Sequence, residues 1–163
     1  MKLIQLFIIS ALIISCNGKK ESILERENIE IKIPQGMFNS IKSKSRYVLS
    51  EIYTKSTPKP LTTFEIESYD GFEDIEDFSK HYEEEILKPL GKTTILSKKD
   101  TLFYNKKAKF YEGEISLQNW QFKFRTIFFI KKSKIIKLSH VSKKDEFESQ
   151  KELTTPLFEQ FKN

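Results

Sequence analysis

The sequence has one cysteine, two histidines, one tryptophan, five glycines and five prolines in 163 residues. Each scarcity removes a class of chemistry. A lone cysteine, Cys16, forms no disulfide within the chain, so packing alone has to hold the fold. His81 and His140 fall short of the four nitrogen or sulfur ligands that a structural zinc site takes, and each reads as an ordinary surface or boundary residue. Gly18, Gly36, Gly71, Gly91 and Gly113 are nowhere spaced as a phosphate-cradling loop. No Gly-x-Ser-x-Gly elbow occurs. The stretch Asp70-Gly71-Phe72-Glu73-Asp74 lacks the oxygen donors that an EF-hand places before its glycine. Carboxylates are plentiful, but no pair stands out as a catalytic dyad. These absences point away from an enzyme and away from any metal or cofactor.

Long apolar runs are also missing, with one short exception. Leu3 to Ile14 is apolar apart from Gln5 and Ser10. A bilayer core of about 30 Å needs about 20 such residues, so this run does not span one as a helix. Lys2 before it, Ser15 after it and Cys16 next follow the order of a secretory signal. The arrangement Ile13-Ile14-Ser15-Cys16 resembles a bacterial lipoprotein lipobox. The resemblance implies cleavage before Cys16 and acyl chains on that residue, which anchor the protein to a membrane. Asn17 in place of an aspartate favours the outer membrane. The mixed-charge tether Gly18-Lys19-Lys20-Glu21-Ser22 favours its periplasmic face, with exposure at the cell surface as the alternative. The expected organisation is a signal peptide over 1–15, an acylated N-terminus and tether over 16–26, and a single domain over 27–163.

The formal net charge is +5, but its distribution along the chain says more. Residues 65–85 hold ten acids and one lysine; residues 88–144 hold fifteen lysines and arginines and three acids. Lys106 and Lys107 flank one expected hairpin turn, and Lys131, Lys132 and Lys134 another. If both turns lie at one end, they form a cationic rim for an anionic surface, lipid phosphates included. Lysines on turns and edge strands also keep a sheet soluble and unpaired, and their abundance throughout the chain favours that plainer role. Trp120 marks either an exposed binding edge or, the reading preferred here, core packing at a strand start. An exported protein has no nucleic acid to meet.

Periodicity sets the expected elements. Ile29 to Ile33 alternates as a half-buried strand and Pro34-Gln35-Gly36 ends it. Strands are expected at 47–53 and 61–69. Ile75, Phe78, Tyr82 and Ile86 form the stripe of an amphipathic helix, with Asp70, Glu73 and Asp74 at its N-terminus and Pro89 and Gly91 at its end. Strands follow at 93–98, 101–104, 108–117, 120–130 and 134–142. In the fourth of these, Phe122, Phe124, Phe128 and Ile130 share one face, while Ile127 and Phe129 join Lys123 and Arg125 on the other. The far end of that strand should be covered on both sides. A helix is expected from Phe147, with Pro156 opening a last helix capped by Thr155.

This order suits an α+β fold, an antiparallel sheet flanked by helices. With Ile31-Lys32-Ile33-Pro34 at its start, Asp70 to Phe78 opening the helix and Leu157-Phe158-Glu159-Gln160-Phe161-Lys162 at its close, it resembles the PsbP-like family, which includes bacterial lipoproteins of the DcrB type. The resemblance covers residues 27–162. It implies an α/β/α sandwich and a non-enzymatic accessory or binding role. The expected function is a membrane-anchored envelope lipoprotein that presents its domain to another envelope protein. The alternative is binding of a small apolar ligand between sheet and helices, which calls for a deep apolar pocket beneath the helix 75–86.

Overall fold

The computed structural model describes residues 37–42, 46–51 and 62–161, with backbone pairing alone for the first two stretches. The signal segment, Cys16, the tether and the strand expected at 29–33 lie outside them.

The chain runs β1 (Met37–Lys42), β2 (Arg46–Glu51), β3 (Thr62–Tyr69), α1 (Ile75–His81), β4 (Lys92–Phe103), β5 (Lys106–Leu117), β6 (Trp120–Lys131), β7 (Lys134–Lys143) and α2 (Phe147–Glu159). The α1 helix continues as a π-helical stretch, Tyr82–Leu87, and a 3₁₀ turn, Lys88–Leu90. The strands make one seven-stranded sheet in the order β1-β2-β3-β7-β6-β5-β4, antiparallel at every step. Position follows sequence. β6 and β7 carry apolar residues on both faces and sit inside the sheet, while lysine-rich β4 lies at an edge, where charge blunts unwanted pairing.

Tight turns set the register of the meander. Tyr104 and Asn105 in one hairpin, and Lys132 and Ser133 in another, all have positive φ, as both central residues of a type I′ turn require. Asp74 caps α1, its Oδ1 accepting from the Asp77 N–H at 2.9 Å.

Alternation along β6 builds two cores. Phe124 and Phe128 point to the α1 side and pack with Phe78, Tyr82, Leu87, Tyr111, Ile115 and Ile135. Ile127 and Phe129 point to the other side and pack with Phe64, Ile66, Ile136, Leu138, Leu157 and Phe161 beneath α2. Both faces of the sheet are therefore covered, one by each helix. This is the α/β/α sandwich that the family resemblance implies.

Three local expectations change. The two short strands at 93–98 and 101–104 are one strand, β4, because β5 pairs with it throughout and a bulge between Ile95 and Ser97 absorbs the irregularity. A strand at Met37–Lys42 follows Gly36, where the sequence shows no clear alternation. Pro156 lies inside α2 rather than opening a new helix. Thr155 is not a cap; its hydroxyl donates to the carbonyl of Lys151 at 2.7 Å and stays within the helix.

Candidate functional site

The meander decides where the singled-out residues go. β4 and β6 run in one direction, β5 and β7 in the other, so the turns at Tyr104-Asn105 and Lys132-Ser133 lie at the same end. Lys106, Lys107, Lys131, Lys132 and Lys134 gather there. Lys131 and Lys134 are direct cross-strand partners, an arrangement that repels. Asp70, at the end of β3, relieves it in part by pairing with Lys134 at 3.2 Å. Lys106 holds its ammonium 5.7 Å from the centre of the Phe129 ring. Leu102, 68% exposed, and Ile130 stand among these lysines; Leu102 pairs with Lys107.

Trp120 does not join them. It pairs with Leu117 at the β5–β6 hairpin, at the opposite end of strands twelve residues long, a separation of about 40 Å. Contrary to the preferred expectation it is 42% exposed. Among the described residues, the β5–β6 hairpin carries it past the end of α1. The Lys143 ammonium sits 4.6 Å from its ring centre. Leu90, Ile95, Leu96 and Leu117 are exposed at the same end, so five of the seven exposed large apolar side chains among the described residues lie there.

The charge blocks that are separate in sequence meet in space. Acids of 65–85 pair with lysines of 88–144: Glu83 with Lys98 at 2.6 Å, Glu76 with Lys109, Asp70 with Lys134, and Glu67 with Lys137. Lys137 is only 5% exposed, and Glu65 lies 3.9 Å from it on the other side. The α1 helix thus lies on the sheet as an acidic element on a basic one.

Between them is a network of hydroxyls. Tyr82 donates to Thr126 at 2.9 Å, and Thr126 bonds Ser139 at 2.6 Å. Tyr111 donates to Glu83 and takes its other bond from Ser79. Burial raises the Glu83 carboxyl, but bonds from Lys98 and Tyr111 outweigh it and hold the group below the usual carboxylate range. The rings of Phe78, Tyr82, Tyr111 and Phe128 contact one another in this space, with Phe78 and Phe128 4.9 Å apart. A ligand under the helix would have to displace them.

The α2 face holds a different polar row. Phe64, His140 and Arg125 are register partners across β3, β7 and β6. His140 is fully buried, against the expectation of a surface or boundary position. Its ring stacks on Phe147 at 4.9 Å, so α2 covers it. Among the described residues, neither of its nitrogens has a hydrogen-bond partner, nor do Arg125 Nε, Thr62 Oγ1 and Gln150 Oε1. Desolvation, with the nearby charges of Arg125 and Lys151, pushes the His140 imidazole down to about 3. Arg125 Nη2 donates to the Lys151 carbonyl, Thr154 Oγ1 and Thr155 Oγ1, each at 3.1 Å, and the guanidinium lies over Phe158. Burial lowers it to about 10.

His81 lies beside Tyr69, Phe72 and Phe78, far along the chain from His140. Among the described residues no three histidine, cysteine or acidic side chains converge as metal ligands, and no helix is long and apolar enough to cross a membrane. Sequence reasoning found the lysines but missed the apolar end around Trp120. Its signal was present in Leu90 and Leu117, which fall at element ends, and in Leu96 at the β4 bulge.

No protein-family model matches the chain. No curated protein matches it either. Solved structures do. The chain is similar to PA94 of Pseudomonas aeruginosa, a protein of unknown function, with a TM-score of 0.55 and 13% identity over 80% of this chain and 85% of that one. It is similar to LpqN of Mycobacterium tuberculosis, involved in cell envelope biogenesis, with a TM-score of 0.57 and 13% identity over 76% of each chain. At these identities the likeness is one of fold.

Proposed function

We propose that this chain is an envelope lipoprotein, acylated at Cys16, whose domain is a non-catalytic accessory module that holds an acidic partner protein at its lysine-bearing end. The observation that carries the partner is the convergence of two hairpins. They bring five lysines together around exposed Leu102 and Ile130. An apolar centre with a charged rim is the anatomy of a protein interface, and a cationic rim complements an acidic surface. The lipobox pattern before the domain supports the anchor, and the envelope role of LpqN supports the compartment. On the Asn17 and tether arguments, the outer membrane facing the periplasm is the proposed location.

The test is a crosslinked pull-down of the acylated protein from its native membranes, identified by mass spectrometry. The expected result is one dominant partner, weakened at least about tenfold by Lys106→Glu with Lys131→Glu, the loss of about 1.4 kcal/mol that reversing two interface charges exceeds. A Cys16→Ala chain should leave the membrane fraction. Absence of any partner above background, or capture indifferent to the charge reversal, overturns the accessory reading. A Cys16→Ala chain that still sediments with membranes overturns the anchor.

A further inference from the structure

Five exposed apolar side chains at one end of an otherwise charged sandwich need an occupant. Leu90 closes the 3₁₀ turn after the π-helical stretch, Ile95 precedes the β4 bulge and Leu96 lies in it, and Leu117 and Trp120 pair across the β5–β6 hairpin. Register places them together. Lys92 pairs with Ser116, next to Leu117, and a Cβ built on Gly91 would stand 3.9 Å from Leu117 Cδ1. Cations border the group: Lys88 and Lys92 are exposed, and Lys143 lies over the indole.

The path of the chain identifies what this end meets. β1 begins at Met37, opposite Glu51, and Ser50 pairs with Thr63, next to the Thr62–Ser142 pair. Ser142 in turn pairs with Lys123, three residues from Trp120. Met37 therefore stands at the Trp120 end of the sheet, and the lysine hairpins stand at the far end. The chain between Cys16 and Met37 reaches at most about 70 Å when fully extended. From an anchor at Cys16 the chain enters β1 at this end of the domain.

We infer that the Trp120 end rests on the phospholipid surface of the membrane that holds Cys16, an inference that depends on the anchoring proposed above. Tryptophan with neighbouring leucines and lysines is the chemistry of a membrane interface, where an indole settles at headgroup level and ammonium groups meet phosphates. With this end on the membrane, the lysine hairpins point away from it.

Trp120 is the only tryptophan in the chain and reports its own surroundings. The acylated protein is reconstituted into vesicles of phosphatidylcholine with a minority of phosphatidylglycerol, with and without nitroxide-labelled lipid. Flotation reports the anchor, and indole emission reports the docking. The expected result is flotation with a blue-shifted emission, about half or more of it quenched by the labelled lipid, as for an indole at headgroup level. Leu96→Ser with Leu117→Ser should still float and should lose most of that quenching. Flotation with an indole open to aqueous acrylamide and untouched by lipid nitroxide overturns the docking and leaves the anchor standing. Shielding that persists in detergent and grows with protein concentration also overturns it, in favour of a second copy. A chain that does not float overturns the anchor, and the docking falls with it.

Discussion

The two faces of the sheet bury polar groups under opposite rules. On the α1 face each charge meets an opposite charge and each hydroxyl a partner: Lys137 with Glu67 and Glu65, Tyr82 with Thr126, Tyr111 with Glu83. On the α2 face, among the described residues, Arg125 donates to a carbonyl and two threonine hydroxyls, and His140 is buried with neither nitrogen bonded. The first face is held by opposite charges, between the helical segment and β4 and β5 and between β3 and β7. The second is held by rings, Phe64 against Phe158 at 5.0 Å and His140 against Phe147, with the polar atoms carried along. Removing a charge should therefore harm the first face and barely trouble the second.

The largest effect is expected at Lys137. Lys137→Met removes the buried ammonium that Glu65 and Glu67, both half-buried, face across the strands, and should destabilise the domain by about 3 kcal/mol in urea unfolding. Glu67→Gln added to it should restore part of the loss. Equal losses in the single and double variants would show that the pair is not what holds this face.

Gly113 tests how tightly the same face is packed. A Cβ there would stand 2.5 Å from the Thr94 carbonyl oxygen and 2.7 Å from the Phe124 ring. Backbone and a core ring give little ground, so Gly113→Ala should lower stability by about 2 kcal/mol in the same assay.

His140 tests the other face through pH. The unfolded imidazole titrates near its ordinary 6.5, and the folded one near 3. As pH falls below 6.5 the unfolded chain takes up a proton that the folded chain refuses. Stability should then fall by about 1.4 kcal/mol per pH unit until the folded value is reached. His140→Phe keeps the stack on Phe147 and removes two unbonded nitrogens. It should raise stability at neutral pH by about 1 kcal/mol and abolish that part of the acid dependence. Urea midpoints at pH 7 and pH 4.5 measure both; a variant as acid-sensitive as the parent places the titration elsewhere.

The smallest effect is expected at Arg125. Thr154 and Thr155 keep bonds to the carbonyls of Gln150 and Lys151 without it. Arg125→Met should change stability at neutral pH by less than about 1 kcal/mol. By removing a charge that repels the imidazolium, it should also raise the His140 titration toward the ordinary value, which two-dimensional NMR of the imidazole reads directly.

Much of this architecture was legible from one strand. The alternation in β6 shows apolar residues on both faces, and two helices with apolar stripes follow from spacing alone. Those are local patterns, and side-chain direction repeats every two residues in a strand and every 3.6 in a helix whatever lies across from it. The candidate surface was legible only in part. The lysines of two turns were visible, but that both turns share an end depends on two intervening strands of nearly equal length, each reversing the chain once.

The sequence by itself determined the α+β order, the turn positions, the stripe of α1 and the signal-like opening that ends at Cys16. Tertiary structure alone decided which distant residues meet. It laid the acids of 65–85 on the lysines of 88–144, buried His140 beneath Phe147, ran α2 through Pro156, and set Trp120 and the lysines at opposite ends. The physical reason is that strand register and helix docking are fixed by the sum of many weak contacts between segments far apart in the chain. No single window of sequence contains that sum.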